Sequence, residues 1–154
     1  MTNKEMAEIF YRIANLLELD RASFFRVRAY RTGAEAIEYL KEPLAEQVAA
    51  GRKLTDLEGI GKDLAAKIEE MIETGKLEYI ERLAEKVPAT LLDILKIPGL
   101  GVKRVRQIYD ELGIETLAEV KQAATEGRLA SLPRFGEKLQ AAVIRRIERI
   151  EESS

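Results

Sequence analysis

The fold of this chain is decided by one stretch, which reads Leu57-Glu58-Gly59-Ile60-Gly61-Lys62-Asp63-Leu64-Ala65-Ala66-Lys67-Ile68. The same frame returns as Ile97-Pro98-Gly99-Leu100-Gly101 and as Leu132-Pro133-Arg134-Phe135-Gly136, with the last glycines 40 and then 35 positions apart. In each copy a short apolar segment enters a tight turn that contains glycine. An amphipathic segment begins directly after the last glycine. The repetition predicts three glycine turns on one pattern, each followed by a helix.

A glycine turn that runs straight into a helix can bind an anion through its backbone. Glycine allows a phosphate to approach the main chain closely, and the first N–H groups of a helix have no partner within it. A single Gly-x-Gly pair is a weak sign of phosphate binding, but three copies in one frame favour it. The predicted contact residues lie in and just after the first two turns: Gly59, Ile60, Gly61, Lys62, Gly99, Leu100, Gly101, Lys103 and Arg104.

Composition indicates either one ordinary domain or two small ones. The chain has 154 residues, of which 46% are hydrophobic, and this is enough for a modest core in each unit. It has no run of about 18 apolar residues and no apolar stretch behind a basic start. We therefore expect a cytoplasmic protein with no membrane partner.

The residue types that are missing narrow the possible chemistry. The chain has no Cys and no His, which excludes a disulfide, a thiol nucleophile, an imidazole base and a zinc site of the usual kind. Any catalysis would use lysine, carboxylate or tyrosine. The sequence has no Asp-x-Asp pair of the kind that holds the metal ions of a polymerase. Its net charge of −2 argues against indiscriminate coating of nucleic acid.

Hydrophobic residues spaced three and four apart predict helices along the whole chain. The clearest helix runs from Lys62 to Thr74, with Gly75 as its C-terminal stop. Capping boxes mark the starts of two other helices, at Thr2 and at Thr116. No alternation of period two persists for more than a few residues, so no strand is predicted.

The helical pattern is interrupted at Pro88, between the first and second glycine turns. We therefore expect an all-α fold that consists of two small helical units, residues 1–88 and residues 89–154. Each unit contains at least one of the glycine turns.

Three arginines, Arg26, Arg28 and Arg31, surround Tyr30 in the second predicted helix. Two interpretations of this group are open. Tyr30 is either a core aromatic residue with its hydroxyl at the edge, or part of a phosphate pocket in which the arginines are the donors.

Lys67 lies on the flank of its predicted helix, roughly 110° from the centre of the buried stripe at about 100° per residue. The matching positions in the other two copies are Gln107 and Ala142, so the hairpin itself does not require a lysine there. Lys67 is either an ordinary surface residue or a lysine placed for covalent chemistry, which needs partial burial, a neighbouring cation or a helix N-terminus to disfavour the ammonium form. A later basic cluster, Arg145-Arg146 with Arg149, fits a solvated helix face as readily as a binding surface.

The turns of the form apolar-x-Gly-apolar-Gly resemble helix-hairpin-helix motifs, which hold DNA backbone phosphates without reading sequence. The order of the parts resembles the N-terminal portion of family X DNA polymerases of the polymerase beta type. The resemblance extends over nearly the whole chain and rests on a set of matching segments: Tyr30-Arg31, Gly59-Ile60-Gly61, Lys67, Thr74-Gly75-Lys76-Leu77 and Ile97-Pro98-Gly99-Leu100-Gly101.

The resemblance implies a DNA repair protein with two parts. The first part would bind the 5′ end of a gap and remove 5′-deoxyribose phosphate, and the second would bind gapped or nicked duplex DNA. Lys67 falls on the lyase nucleophile, which forms a Schiff base, while Tyr30 and Arg26 fall in the 5′-phosphate pocket. The catalytic palm domain of the family has no counterpart in this chain, so a palm domain or other repair proteins are expected partners.

The resemblance also implies a monovalent cation, K⁺ or Na⁺, at the hairpins. Backbone carbonyl groups would hold it, and the matching positions are Leu57, Ile60, Leu95, Ile97 and Leu100. No other cofactor is expected.

The sequence differs from the family pattern around the expected lyase pocket. Asp63, Thr55 and Tyr79 stand where the family has basic residues, and Ala66 stands where an acid precedes the nucleophile. These changes predict a pocket that binds phosphate less strongly. Arg134 replaces the first glycine of the third turn, which predicts a packing role for that turn.

Two alternatives to a repair enzyme stay open. The chain is a DNA-binding module without activity, or it is a helical protein-interaction adaptor that uses hairpins as packing units. A salt titration separates the adaptor from the others, because phosphate contacts make DNA affinity fall steeply as salt is added.

Overall fold

The structure is a computed structural model that describes residues 1–153. Those residues contain nine α-helices and no strand, so the predicted all-α fold is confirmed. The helices are α1 (Asn3–Leu19), α2 (Phe24–Glu38), α3 (Leu44–Ala49), α4 (Lys62–Thr74), α5 (Glu78–Lys86), α6 (Leu91–Ile94), α7 (Val102–Leu112), α8 (Leu117–Thr125) and α9 (Gly136–Ser153). A single 3₁₀ turn, Leu54–Asp56, comes shortly before α4.

The chain forms two compact units, one of residues Met1–Val87 and a second that begins at Pro88. The first unit holds α1 to α5 and the first glycine turn. The second holds α6 to α9 and the other two turns. Within residues 1–153, no helix combines the length and the apolar character needed to cross a membrane.

The core of the first unit lies between α1 and α2. Phe10 and Ile13 of α1 are fully buried, and the ring of Phe10 meets the ring of Tyr30 edge-on with centroids 5.8 Å apart. The predicted capping box is present at the start of α1, where Thr2 and Glu5 exchange two hydrogen bonds of 3.0 Å. Tyr30 is therefore held by the core from one side of its ring.

Helix α4 has the bounds that the sequence predicts, and Gly75 ends it in the left-handed conformation with φ 75°. Its inward face includes Leu64 and Ile68, which are buried. α4 approaches α2 closely at Gly33, because a Cβ atom added there would overlap Cδ1 of Leu64. The absence of a side chain at Gly33 thus lets the helix that follows the first turn rest on α2.

In the second unit α8 packs on α9, and Val120 of α8 and Val143 of α9 are fully buried. The predicted cap at the start of α8 is present in a modified form. The Thr116 hydroxyl oxygen accepts a hydrogen bond of 3.2 Å from the Glu119 N–H. The Glu119 carboxylate accepts bonds from the Thr116 hydroxyl and from the backbone N–H of Glu115. The cap extends one residue further than a capping box.

Candidate nucleic-acid interface

The first two glycine turns have the same backbone conformation. Gly59 and Gly99 are both in the left-handed region, with φ 91° and 93°. Gly61 and Gly101 are extended and cap the helices that follow, with φ −88° and ψ −176° for Gly61 and φ −85° and ψ −177° for Gly101. The angles agree within a few degrees although the turns are 40 positions apart. One local structure is therefore built twice.

A single hydrogen bond closes each of these turns. The N–H of Ile60 donates to the carbonyl of Leu57 at 3.1 Å, and the N–H of Leu100 donates to the carbonyl of Ile97 at 3.0 Å. The side chains of Ile60 and Leu100 are buried, while the glycines on either side of them are exposed. Each turn is thus anchored by its apolar residue and presents its backbone to solvent.

The helix starts behind both turns leave N–H groups without an internal partner. The first backbone bond of α4 runs from the Ala65 N–H to the Gly61 carbonyl at 2.9 Å, and that of α7 runs from Val105 to Gly101 at 3.0 Å. The three residues before Ala65 and Val105 therefore carry the free donors of a helix start. A Cβ atom added at Gly61 or Gly101 would meet nothing within 4 Å. This open, positively polarised end suits a phosphate.

A neighbouring helix supports each turn from behind. A Cβ atom added at Gly59 would lie 3.3 Å from Cγ2 of Thr32 on α2. At the second turn, Nη1 of Arg146 on α9 donates a hydrogen bond of 2.6 Å to the carbonyl of Pro98. The same nitrogen would lie 2.5 Å from a Cβ atom added at Gly99. Both positions need glycine for the positive φ and for the close contact.

The third turn repeats only part of this geometry. Arg134 has φ 69° and so takes the left-handed conformation that glycine has in the other copies. The N–H of Phe135 donates to the carbonyl of Leu132 at 3.2 Å, as in the first two turns. Gly136, however, has φ 71° instead of an extended conformation. The third turn therefore enters its helix differently.

Side chains of α7 cover the carbonyl groups of the third turn. Nε2 of Gln107 donates to the carbonyl of Pro133 at 3.2 Å, and Nη2 of Arg104 donates to the carbonyl of Arg134 at 3.4 Å. Nη1 of Arg104 also donates to the carbonyl of Gly99 at 3.1 Å. Arg104 thus joins the second and third turns and supports them from inside, whereas Lys103 is exposed beside the second turn.

A small open pocket of about 280 Å³ lies in the first unit. Residues from α2, α4 and α5 line it: Arg26, Ala29, Tyr30, Asp63, Lys67 and Tyr79. The Lys67 side chain is only 15% exposed, in agreement with its predicted flank position. Its Nζ lies 4.7 Å from the ring centroid of Tyr79 and 5.9 Å from that of Tyr30. The two rings are stacked with centroids 6.0 Å apart.

Hydrogen bonds connect the polar groups of this pocket into one group of three residues and one pair. Asp63 accepts a bond of 2.7 Å from Lys67 Nζ and a longer one of 3.4 Å from the Tyr30 hydroxyl. Nη2 of Arg26 donates to the Tyr79 hydroxyl at 2.5 Å. Burial, and after it the nearby Asp63 charge, raises the pKa of Tyr30 well above its usual value. The Tyr30 hydroxyl therefore stays protonated and can act as a donor.

Of the three arginines around Tyr30, the structure brings only Arg26 to the pocket. The Arg28 guanidinium lies over the ring of Phe24, 5.8 Å from its centroid. Arg31 forms an ion pair of 2.9 Å with Glu18. Tyr30 meets both interpretations of the sequence, because its ring belongs to the core and its hydroxyl reaches the pocket.

Comparison with known proteins connects these turns to a family. Residues 1–77 match the family described as "Helix-hairpin-helix domain". Residues 51–112 and residues 91–149 each match "SAM-like Helix-hairpin-helix tandem". The chain belongs to the helix-hairpin-helix family. The two tandem matches share the part of the chain that holds the second hairpin, so this hairpin is paired with the first in one match and with the third in the other.

A bacterial protein has a similar sequence over most of the chain. The chain is 33% identical over 144 residues to the "DNA polymerase/3'-5' exonuclease PolX" of Bacillus subtilis (strain 168). The aligned part is 94% of this helix-hairpin-helix chain but 25% of the relative. The chain therefore spans about a quarter of the length of that protein. The similarity confirms the resemblance to family X DNA polymerases.

The carbonyl groups predicted from the sequence to hold a monovalent cation are exposed to further bonding in both hairpins. Among the described residues no hydrogen bond reaches the carbonyl oxygen of Ile60, Leu95 or Leu100. The carbonyl oxygens of Leu57 and Ile97 each accept the one bond that closes the turn, which leaves a second lone pair on each. Main-chain oxygens of this kind suit K⁺ or Na⁺.

Three residues contribute to these sites although the sequence alone does not indicate it. In the sequence, Asp63 and Tyr79 stand out only as differences from the family, yet both contact Lys67. Arg146 belonged to a cluster that also fits a solvated face, yet it holds the second turn. The only sequence signal for Asp63 was its spacing of four from Lys67, which places the two side chains on one helix face.

Proposed function

We propose that this chain binds DNA in repair, as the DNA-binding part of a family X polymerase, and that it binds backbone phosphates without reading sequence. The observation that carries the proposal is the repeated turn, in which Gly59 and Gly99 have matching φ angles and free N–H groups follow. Two turns of matching backbone conformation, each ahead of a helix start, suit a ligand that carries many phosphates. A DNA strand carries one phosphate for about every 3.4 Å of helix axis.

The low charge of the chain agrees with binding by main-chain groups. With 25 basic and 27 acidic residues, a surface of lysines and arginines is not the main source of affinity. Backbone N–H groups and helix N-termini contact phosphates, which position a protein on DNA but carry no base information. Sequence-neutral binding therefore follows from the type of donor.

Gapped DNA with a 5′-phosphate is the preferred ligand in this proposal. The support is that the pocket of Arg26, Tyr30 and Lys67 lies in the same unit as the first turn. α4 begins at that turn and carries Lys67 one to two turns further on. An end phosphate would meet a guanidinium, a hydroxyl donor and an ammonium group there. A palm domain is the expected partner for the synthesis that fills the gap.

The test is fluorescence anisotropy with four labelled duplexes: intact, nicked, gapped with a 5′-phosphate, and gapped with a 5′-hydroxyl. We expect log K to fall linearly with log salt, and we expect the tightest binding for the gap with the 5′-phosphate. Equal affinity for both gapped duplexes would remove the end preference but keep DNA binding. Absence of binding to all four at low salt would instead favour the protein-interaction adaptor.

A cation at the hairpins is part of the same proposal. K⁺ or Na⁺ held by the carbonyls of Leu57 and Ile60, and by those of Leu95, Ile97 and Leu100, would add positive charge where a phosphate approaches. The check compares DNA affinity in potassium, sodium and tetramethylammonium chloride at one ionic strength. We expect weaker binding in tetramethylammonium, which is too large for a ring of carbonyls. Equal affinities would argue against the cation.

We further propose 5′-deoxyribose phosphate lyase activity, which Lys67 supports because its amine is held inside a pocket instead of in solvent. The amine would add to the C1′ aldehyde, and one water molecule would leave to form the imine. Transfer of the C2′ proton to water would then break the C3′–O bond and release the phosphate-ended strand. Hydrolysis of the imine would return the lysine.

Borohydride trapping tests the lyase proposal on a gap that carries a 5′-deoxyribose phosphate. Reduction of the imine leaves a stable covalent adduct, which we expect with the native chain and not with Lys67→Ala. Lys86→Ala is the matched control, because Lys86 is an exposed lysine on α5 of the same unit and does not line the pocket. No adduct from native protein, at a salt concentration where it binds this DNA, would leave a binding module without activity.

A further inference from the structure

A second open pocket adjoins the second hairpin, with a volume of about 440 Å³. Its lining residues come from the entry to the turn and from the end of α9: Lys96, Pro98, Arg146, Arg149, Ile150 and Ser153. No acidic side chain is among the described residues that line it. Three cationic side chains therefore face one concave surface.

The charges of this pocket are only partly balanced within the chain. Arg149 forms no ion pair with any described residue. Arg146 is spaced three positions from Arg149 on one face of α9, so two like charges lie side by side at a cost to the helix. One nitrogen of Arg146 bonds to the Pro98 carbonyl, and the remaining N–H groups of its guanidinium stay available. Lys96 forms an exposed pair of 3.4 Å with Asp93.

In a different pocket of the same unit, acidic neighbours neutralise the basic side chains. It has a volume of about 380 Å³, and Glu126 and Glu151 are among its lining residues. Lys121, which also lines it, forms an ion pair of 3.2 Å with Glu151. Arg128 pairs with Glu126 at 3.7 Å. Charge neutralisation by neighbours is therefore available in this unit, whereas in the pocket of Arg149 only Lys96 forms an ion pair with a described residue.

We propose that the pocket of Lys96, Arg146 and Arg149 binds a phosphate group of the DNA strand that crosses the second hairpin. The inference rests on the proposed DNA binding and extends it to a side-chain site. Pro98 lines the pocket and is followed by Gly99 of the turn, and successive Cα atoms are about 3.8 Å apart. In this proposal, a strand that has one phosphate on the backbone donors of the turn places a neighbouring phosphate in the adjoining pocket. Arginines suit phosphate because several N–H groups can donate at once.

The experiment compares the salt dependence of duplex binding for the native chain and for Lys96→Gln/Arg149→Gln. Arg146 is left in place because it supports the turn. One lost phosphate contact should lower the slope of log K against log salt by about 1 and weaken binding several-fold for every sequence. Lys121→Gln/Arg128→Gln is the matched control, which removes two charges from acid-paired positions and should leave the slope unchanged. If the double variant has a lowered melting temperature, the salt slope of Arg149→Gln alone is compared with that of the native chain.

The outcomes separate this inference from the proposed function. If the native chain binds the duplex and the double variant shows the same salt slope, the pocket is not a phosphate site. Binding by the hairpins would be unaffected by that result. Absence of duplex binding by the native chain would overturn both. A parallel NMR titration with inorganic phosphate alone identifies the source of the anion. Saturable, Arg149-dependent phosphate binding without any effect on the DNA slope would assign the pocket to a free anion and overturn the DNA strand as its ligand.

Discussion

Nζ of Lys67 donates a hydrogen bond of 2.7 Å to Oδ1 of Asp63, one turn earlier on the same helix. The other oxygen of that carboxylate accepts the longer bond from Tyr30. Asp63 thus engages two of the donors that would receive a phosphate in this pocket. Because the Asp63 side chain is 74% exposed, it can swing away at little cost, and an incoming phosphate competes with it.

The first prediction concerns Asp63→Asn. Removal of the negative charge should raise affinity for gapped DNA with a 5′-phosphate by about 2- to 5-fold, since a like charge in a partly exposed site costs about 0.5–1 kcal/mol. The melting temperature should change little, because an i,i+4 helix ion pair contributes about 0.3–0.5 kcal/mol and the Asp63 partner is mostly exposed. Anisotropy and thermal denaturation provide the two measurements.

Two controls make the effect of Asp63→Asn specific. Glu69→Gln removes an exposed acid from the same helix and should change affinity much less. The gap with a 5′-hydroxyl should gain less than the gap with a 5′-phosphate. An equal gain in affinity for both gapped duplexes would mean that the lost charge acts at long range and not on the 5′-phosphate in the pocket.

The second prediction compares two glycines of one turn. Gly99→Ala should lower the free energy of unfolding by at least about 1–2 kcal/mol, because φ is 93° there and L-residues are strained in that region. The added Cβ atom would also press on Arg146. For Gly101→Ala, the free energy of unfolding should stay within about 1 kcal/mol of the native value. Here φ is −85°, and an added Cβ atom would meet nothing within 4 Å. Denaturant titration gives both values.

The same pair of variants tests the role of the turn in binding. A methyl group at position 101 projects into the open space before the helix start, so Gly101→Ala should weaken DNA binding while the fold is kept. Native affinity in well-folded Gly101→Ala would contradict phosphate binding at this turn.

The third prediction concerns Arg134→Gly in the third turn. Arg134 has φ 69°, so glycine should relieve backbone strain of about 1–2 kcal/mol. Part of this gain is offset by the greater freedom of glycine in the unfolded chain. We expect a net stabilisation of about 0.5–1 kcal/mol by denaturant titration. Arg134→Ala, which removes the charge but keeps the strain, should show no such gain, and an equal gain from alanine would point to charge instead.

The fourth prediction is a loss of stability at alkaline pH that depends on Tyr11. Burial, followed by its hydrogen bond of 2.8 Å to the Glu38 carboxylate, raises the pKa of Tyr11 to about 12 from an ordinary value of 10.0. The neutral tyrosine is thus favoured in the folded state. Its stabilisation is complete below pH 10 and is lost as pH rises toward 12.

Thermal melts at pH 8, 10 and about 12 measure this effect. Tyr11→Phe should melt earlier than the native chain at pH 8, because the bond to Glu38 is lost, but its melting temperature should fall less as pH rises. Tyr39→Phe is the control, since Tyr39 is 83% exposed. Parallel pH curves for the native chain and Tyr11→Phe would exclude Tyr11 as the group responsible.

The parts of the structure that local rules govern were predictable. The bounds of α4 and its stop at Gly75 follow from hydrophobic spacing and from the glycine conformation at a helix end. The pocket and the support of the second turn depend on distant pairs. The bond of Arg26 to Tyr79 spans 53 positions and that of Arg146 to Pro98 spans 48. No periodicity encodes which long polar side chain reaches which partner, because that choice is made only when the helices pack.

The bond from Arg146 to the Pro98 carbonyl has a kinetic consequence. Because this guanidinium holds the second turn from behind, the turn has lost its conformational freedom during folding and has little more to lose on meeting a ligand. Such preorganised surfaces associate with little backbone rearrangement. Association at this hairpin should therefore be limited by diffusion and orientation, and differences in affinity among DNA structures should arise mainly from how fast each complex dissociates.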